Sequence, residues 1–155
     1  MNTSEARYTS EQAAEALTMS YRRLDDILRR LKIEPSRPAK GTGTGRRWSV
    51  ADIVAIAVGL EWANRGVPWV AIKKLLLFIQ RSGLAGVDKF PVAMLSGDRV
   101  WAAKPGAQLR IGGRGPVMAC DLRRGLATIK QRLAAIDARK AAEAEQPACE
   151  PAGGT

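Results

Sequence analysis

The sequence predicts a fold that is mainly α with small β elements, helical in its first half and mixed in its second. Three observations lead there. Apolar residues recur at helical spacing behind cap residues up to about residue 81; a glycine-tipped segment interrupts that pattern; and a strand-like alternation follows residue 89. Of 155 residues, 46% are hydrophobic and 26% charged, close to ordinary globular proteins, so a wholly disordered chain is excluded.

The first helix is expected from about residue 10 to 17. Thr9 stands three residues before Gln12, the spacing of a capping box, and an Ala-rich run follows. After a brief turn at Thr18-Met19, Ser20 is placed to cap a second helix. There Leu24, Ile27, Leu28 and Leu31 share one face, while Tyr21, Arg22, Arg23, Asp25, Asp26, Arg29 and Arg30 share the other. Two short helices across a tight turn, the second basic, describe a helix-turn-helix. Residues 34–48, EPSRPAKGTGTGRRW, cannot be helical, because two prolines and three alternating glycines oppose it. With basic residues on both sides of the glycine tip, they read as a β-hairpin wing.

Ser49 and Asp52 restart a helix to about Asn64, which Gly66 stops. Pro68 then opens an amphipathic helix through Trp69, Ile72, Leu75, Leu76 and Ile79 to about Arg81. The glycines from Gly83 to Gly86 mark a linker over 82–89. Residues 90–95 and 99–103, separated by Ser96-Gly97-Asp98, form a β-hairpin signal, and 116–120 a possible third strand. Asp121 would cap a last helix whose Leu122, Leu126, Ile129, Leu133 and Ile136 make a seam for the small sheet or a second copy. The division expected is a flexible 1–7, a winged helix-turn-helix domain over 8–81, a small α+β C-terminal domain over 90–139 for dimerisation or sensing, and a disordered tail over 140–155.

Charge narrows the function. There are 25 Lys+Arg against 15 Asp+Glu, a formal charge of +10, and no histidine. The missing imidazole removes the commonest general base and the commonest metal ligand. Cys120 and Cys149 are too few for a four-ligand zinc site or a disulfide scaffold. No catalytic, cofactor or metal site is expected, and the chain reads as a non-enzyme. Between Ser20 and Trp48 nine Lys or Arg (22, 23, 29, 30, 32, 37, 40, 46, 47) face three acids, more than half of the net charge. Such concentration suits a surface that tracks phosphates and releases counterions. The alternative is a solvated helix face with intrahelical pairs such as Arg22–Asp25 or Arg22–Asp26.

Gly41 to Gly45 lack the last glycine of a dinucleotide fingerprint and the Gly-Lys-Ser/Thr of a P-loop, leaving wing flexibility as their role. Cys120 reads as buried packing, and Trp62, Trp69 and Trp101 as core or, less readily, the lining of a small-ligand site. The polar N-terminus MNTSEARYTS carries no secretory signal, and no apolar run is long enough to span a bilayer, so a cytoplasmic, nucleoid-associated protein with no membrane partner is expected.

The runs YTSEQAAEALTMSYRRLDDILRRLKIEPSR and GTGTGRRWSVADIVAIAVGLEWANRGVPWVAIKKLL resemble the DNA-binding domain of bacterial MerR-like transcriptional regulators. Matching features are Tyr8-Thr9, Ser20 before the basic helix, Arg22 at the family's recurrent arginine, Arg46-Arg47-Trp48-Ser49 with Asp52, and the Gly66 turn. The resemblance covers about residues 8–81, and the glycine-rich wing and GDRVW segment suggest a subgroup with a small C-terminal domain and no metal-sensing cysteines. It implies a winged helix-turn-helix homodimer that regulates transcription by binding double-stranded DNA in a sequence-specific way. Ser20, Tyr21, Arg22 and Arg23 would lie at the major groove, with Arg29 on the same helix. Arg37, Lys40, Arg46 and Arg47 would hold phosphates. Asp25, Asp26 and Ile27 depart from the family pattern; a carboxylate there can pair with Arg22 or Arg29, or accept from cytosine N4. The alternative function is a DNA-binding architectural or recruitment adaptor, excisionase-like or terminase-small-subunit-like, with the Leu122–Ile136 seam as the face for a protein partner.

Overall fold

The computed structural model describes residues 7–35, 45–96, 99–103 and 117–145. Five helices and three strands follow in the order α1 (Ser10–Ala16), α2 (Tyr21–Leu31), α3 (Val50–Asn64), α4 (Trp69–Lys89), β1 (Val92–Ser96), β2 (Arg99–Ala103), β3 (Val117–Asp121) and α5 (Leu122–Glu145). The protein is mainly helical with one small antiparallel sheet.

The helix starts follow from local chemistry. Thr9 Oγ1 accepts from the Gln12 N–H at 3.3 Å, and Gln12 Oε1 accepts from the Thr9 N–H at 2.9 Å, closing the capping box of α1. The chain then turns through Thr18, held at φ +54, and restarts at Ser20, whose Oγ accepts from the Arg23 N–H at 3.3 Å. Ser49 and Asp52 form the second capping box, at 3.1 and 2.9 Å, at the head of α3. Gly66, at φ +80, takes the left-handed conformation that lets the chain leave α3 and enter α4 behind Pro68.

α3 is the pillar of the molecule, with Ala51 to Ile56, Val58, Gly59 and Trp62 all buried. α4 lies along one side of it. A side chain at Gly59 would meet Ile72 Cγ2 at 3.0 Å and Leu76 Cδ2 at 3.2 Å, so the absent Cβ sets how closely the two helices approach. α5 lies along another side, and a Cβ on Gly125 would come within 3.2 Å of Val58 Cγ2. In the sheet β1 is central, pairing Met94 with Trp101 of β2 and Met94 with Ala119 of β3. Ala93 of β1 is fully buried. Buried side chains make one continuous cluster from Tyr8 through α3 and α4 to Ile136.

Four expectations change. Residues 82–89 are not an open linker: the helix breaks at Gly83 (φ 61, ψ −167), where the sequence placed the break, but a second helical segment follows it to Lys89 and buries Val87. One non-helical residue is enough to redirect a chain that still has apolar surface to bury. The seam Leu122, Leu126, Ile129, Leu133 and Ile136 is buried within the same chain, against α3 and α1 as well as β1. It is therefore not a free face for a second copy or another protein. α5 continues past Lys140 to Glu145, so the expected tail begins as helix; 146–155 lie outside the described residues. Arg7, expected in a flexible start, bonds through Nη2 to the Tyr8 hydroxyl and pairs with Asp137 of α5 at 2.8 Å. Among the described residues no helix is long and apolar enough to cross a membrane.

Candidate nucleic-acid interface

The basic helix is positioned by its own apolar seam. Leu24, Ile27, Leu28 and Leu31 are buried, which turns Tyr21, Arg22, Arg23, Asp26, Arg29 and Arg30 outward. Tyr21 is 47% exposed, high for an aromatic ring. Ser20 is exposed too, with its hydroxyl committed to the Arg23 N–H. α2 ends at Lys32, in the left-handed region at φ +50, and both Arg29 and Arg30 stand in its last turn, where cations suit the helix dipole.

Beyond the glycine segment, the chain returns beside α1. Tyr8 and Trp48 exchange backbone hydrogen bonds at 3.2 and 2.9 Å, and the fully buried Trp48 ring donates from Nε1 to Ser10 Oγ at 3.0 Å. This clamp delivers Arg46 to α2. Asp25, whose side chain is only 16% exposed, accepts from Arg46 Nη1 at 3.0 Å and pairs with Arg29 Nη2 at 2.7 Å. Both carboxylate oxygens are thus engaged, so the acid that seemed misplaced on a phosphate-facing helix cross-links it to the returning strand. The intrahelical partner is Arg29, not Arg22. An acid four residues before a base is the favourable order on a helix. Among the described residues Arg47 reaches only the Arg7 carbonyl, at 3.4 Å.

Spacing along α2 sorts its cations into two flanks. Arg22, Asp25 and Arg29 face Arg46; Arg23, Asp26 and Arg30 line a cleft of about 340 Å³ with Leu60, Asn64 and Trp69. Trp69 is not core, as expected from its spacing: it is 38% exposed and forms a wall of that cleft. Arg22, Arg23 and Arg30 make no ion pair among the described residues. Of the nine residues singled out in the sequence, Ser20, Tyr21, Arg22, Arg23 and Arg29 stand on or at the head of α2 and Arg46 is joined to it through Asp25, whereas Arg47 is turned to the Arg7 carbonyl. Arg37 and Lys40, with the expected wing tip over 36–44, lie outside the described residues.

No protein-family model matches this chain, and no curated protein does. The functional reading therefore rests on the residues themselves. What this arrangement offers is a row of guanidinium groups on a rigid helix, with arms free to donate bidentate hydrogen bonds to phosphates or to guanine O6 and N7.

The remaining polar groups hold the fold. Trp62 Nε1 is buried without a regular acceptor and faces the Cys120 thiol. Burial pushes that thiol up from its ordinary pKa, and the indole N–H offsets part of the rise. Cys120 is buried, as expected of packing. Burial also raises the Tyr8 phenol, against the pull of Arg7. Asp52 accepts from Gln80 Nε2 at 2.8 Å, tying the start of α3 to α4. The ties to α5 had no sequence signal, since Tyr8 and Asp137, 129 residues apart, meet only in the folded chain.

Proposed function

We propose that this protein is a sequence-specific DNA-binding transcriptional regulator, working as a homodimer at the nucleoid, with α1 and α2 as a helix-turn-helix and the 36–44 segment as its wing. One observation carries the reading: the guanidinium groups of Arg22, Arg23 and Arg30, without an ion pair among the described residues, project from a helix whose neighbour Arg46 is held beside it by Asp25. In this reading α2 enters the major groove from its Ser20 end, and Arg46, Arg47, Arg37 and Lys40 hold phosphates. The +10 charge of the chain speeds the encounter. Two copies would read half-sites about one helical turn, 34–36 Å, apart. Because the α5 seam is buried, the two-fold contact must use another surface, and an adaptor role through that seam loses its docking face.

The test is selection of bound sequences from a random duplex pool, followed by salt-titrated binding of the winner. A palindromic winner is expected. Replacing Arg22 by Ala should then cost about 1–3 kcal/mol and relax preference at one position. Replacing Arg46 should weaken binding to all sequences and lower the salt slope by about 1. No enrichment, or indistinguishable behaviour of the two variants, overturns the assignment.

A further inference from the structure

A second concentration of arginine lies away from α2, in a cleft of about 390 Å³ between α3 and α5. Three arginines line it from different parts of the chain: Arg65 just past the end of α3, Arg124 in the first turn of α5, and Arg132 two turns further on. Glu61 is the one carboxylate among the lining residues, and it is spent on Arg65. Arg132 uses Nη1 to donate to the Ala16 carbonyl at 2.9 Å, which ties α5 to the end of α1 and fixes where that guanidinium stands. Arg124 makes no side-chain hydrogen bond or ion pair among the described residues. The cleft therefore holds two uncompensated positive charges.

Its base is different in character. Ala57 and Val58 of α3 and Ile129 of α5 meet there, and the missing side chain of Gly125 lets the first turn of α5 settle close to Val58. Arginines around an apolar base supply both the charge and the hydrocarbon contact that an organic anion needs, and the volume falls in the range small-ligand sites occupy. Planar forks match the two oxygens of a carboxylate, while the floor favours a hydrocarbon body over a bare inorganic ion.

We propose that this α3–α5 cleft binds a small organic anion, a carboxylate on a compact apolar body, held by Arg124 and Arg132 over Val58 and Ile129. The site shares no residue with the α2 surface and does not depend on the DNA-binding reading. Because Arg132 also holds the last turn of α1, the helix immediately before α2, an occupant would sit one hydrogen bond from the basic helix pair.

Calorimetric or NMR titration of the full chain at constant ionic strength tests this, with benzoate and inorganic phosphate as probes. Saturable benzoate binding, tighter than that of phosphate, is expected. Arg124→Gln, on an exposed position, should weaken it about tenfold or more, the effect of losing charge-assisted hydrogen bonds. Glu61→Gln, which releases Arg65 from its carboxylate, should tighten it several-fold. Lys140→Gln should change nothing. Three results overturn the proposal: no saturable binding of benzoate, phosphate binding as tightly as benzoate, or an equal loss in Lys140→Gln. It is also overturned if Arg124→Gln leaves benzoate binding intact and reduces DNA retention as Arg22→Ala does, since the cleft then serves nucleic acid.

Discussion

Helices α2 and α5 have much the same local make-up, an apolar seam with arginines around it, yet folding places those arginines differently. On α2 three of four arginines have no ion pair among the described residues, and the fourth shares Asp25 with Arg46. On α5 two of four are tied to the body of the protein, Arg132 to the Ala16 carbonyl and Arg139 to both Glu15 oxygens at 2.8 Å, while Arg123 pairs locally with Asp121 at 3.4 Å. The seams differ as well. That of α2 packs a short helix onto α1 and its surroundings, while that of α5 packs one 24-residue helix on α3, α1 and the central strand β1. Arginine count alone does not make a binding surface. What matters is whether folding supplies the guanidinium with an acceptor.

The contrast can be broken most forcefully at the α5 seam. Ile129→Ala should cost about 2–5 kcal/mol, because Ile129 is 2% exposed in the seam that packs on α3. Urea unfolding measures it; a change within about 0.5 kcal/mol, the surface norm, would return the seam to solvent or to a partner.

A smaller effect sharpens the other side of the comparison. Asp25→Asn frees Arg29 and Arg46 and removes a negative charge from the α2 surface. DNA retention should rise and its salt dependence steepen, while stability falls by no more than about 1 kcal/mol, the scale of exposed ion pairs. Weaker retention at every salt concentration would mean that Asp25 is needed to aim Arg46 more than it costs in repulsion.

The smallest effect concerns the Glu15–Arg139 fork. The Arg139 hydrogen bonds hold the Glu15 carboxyl below its ordinary pKa. A depressed carboxylate pKa adds stability that is complete above the unfolded-state value, about 4.3, and disappears as pH falls through the folded-state value. Glu15→Gln should therefore melt slightly earlier than the native chain at pH 7 and at the same temperature in strong acid. A difference that persists at low pH would point to packing instead of charge.

How much of this was readable in advance depends on the distance over which each cause acts. The caps at Thr9, Ser20 and Ser49, the stop at Gly66 and the three strands depend on residues within a few positions of one another, and all stand where the sequence placed them. Gly83 breaks the helix where the sequence placed a break, but the short helical segment beyond it was not legible, because only the burial of Val87 in the folded chain accounts for it. Trp69 misled: its spacing matched the apolar face of α4, but at the first residue of the helix that face overhangs the cleft beside Arg23. Asp25 was legible in part, since Arg29 lies one turn away, whereas Arg46 lies across the glycine segment.

By itself, the order of residues determined the helical periods, their caps and the clustering of cations between Ser20 and Trp48, because hydrogen bonding within one turn and the side-chain period of a helix need no distant partner. The tertiary structure alone decided that the α5 seam closes on α3 and α1, which arginines find acceptors, and that three of them line one cleft with Val58. Those outcomes depend on contacts between residues tens of positions apart, and such contacts exist only once the core that excludes water has formed.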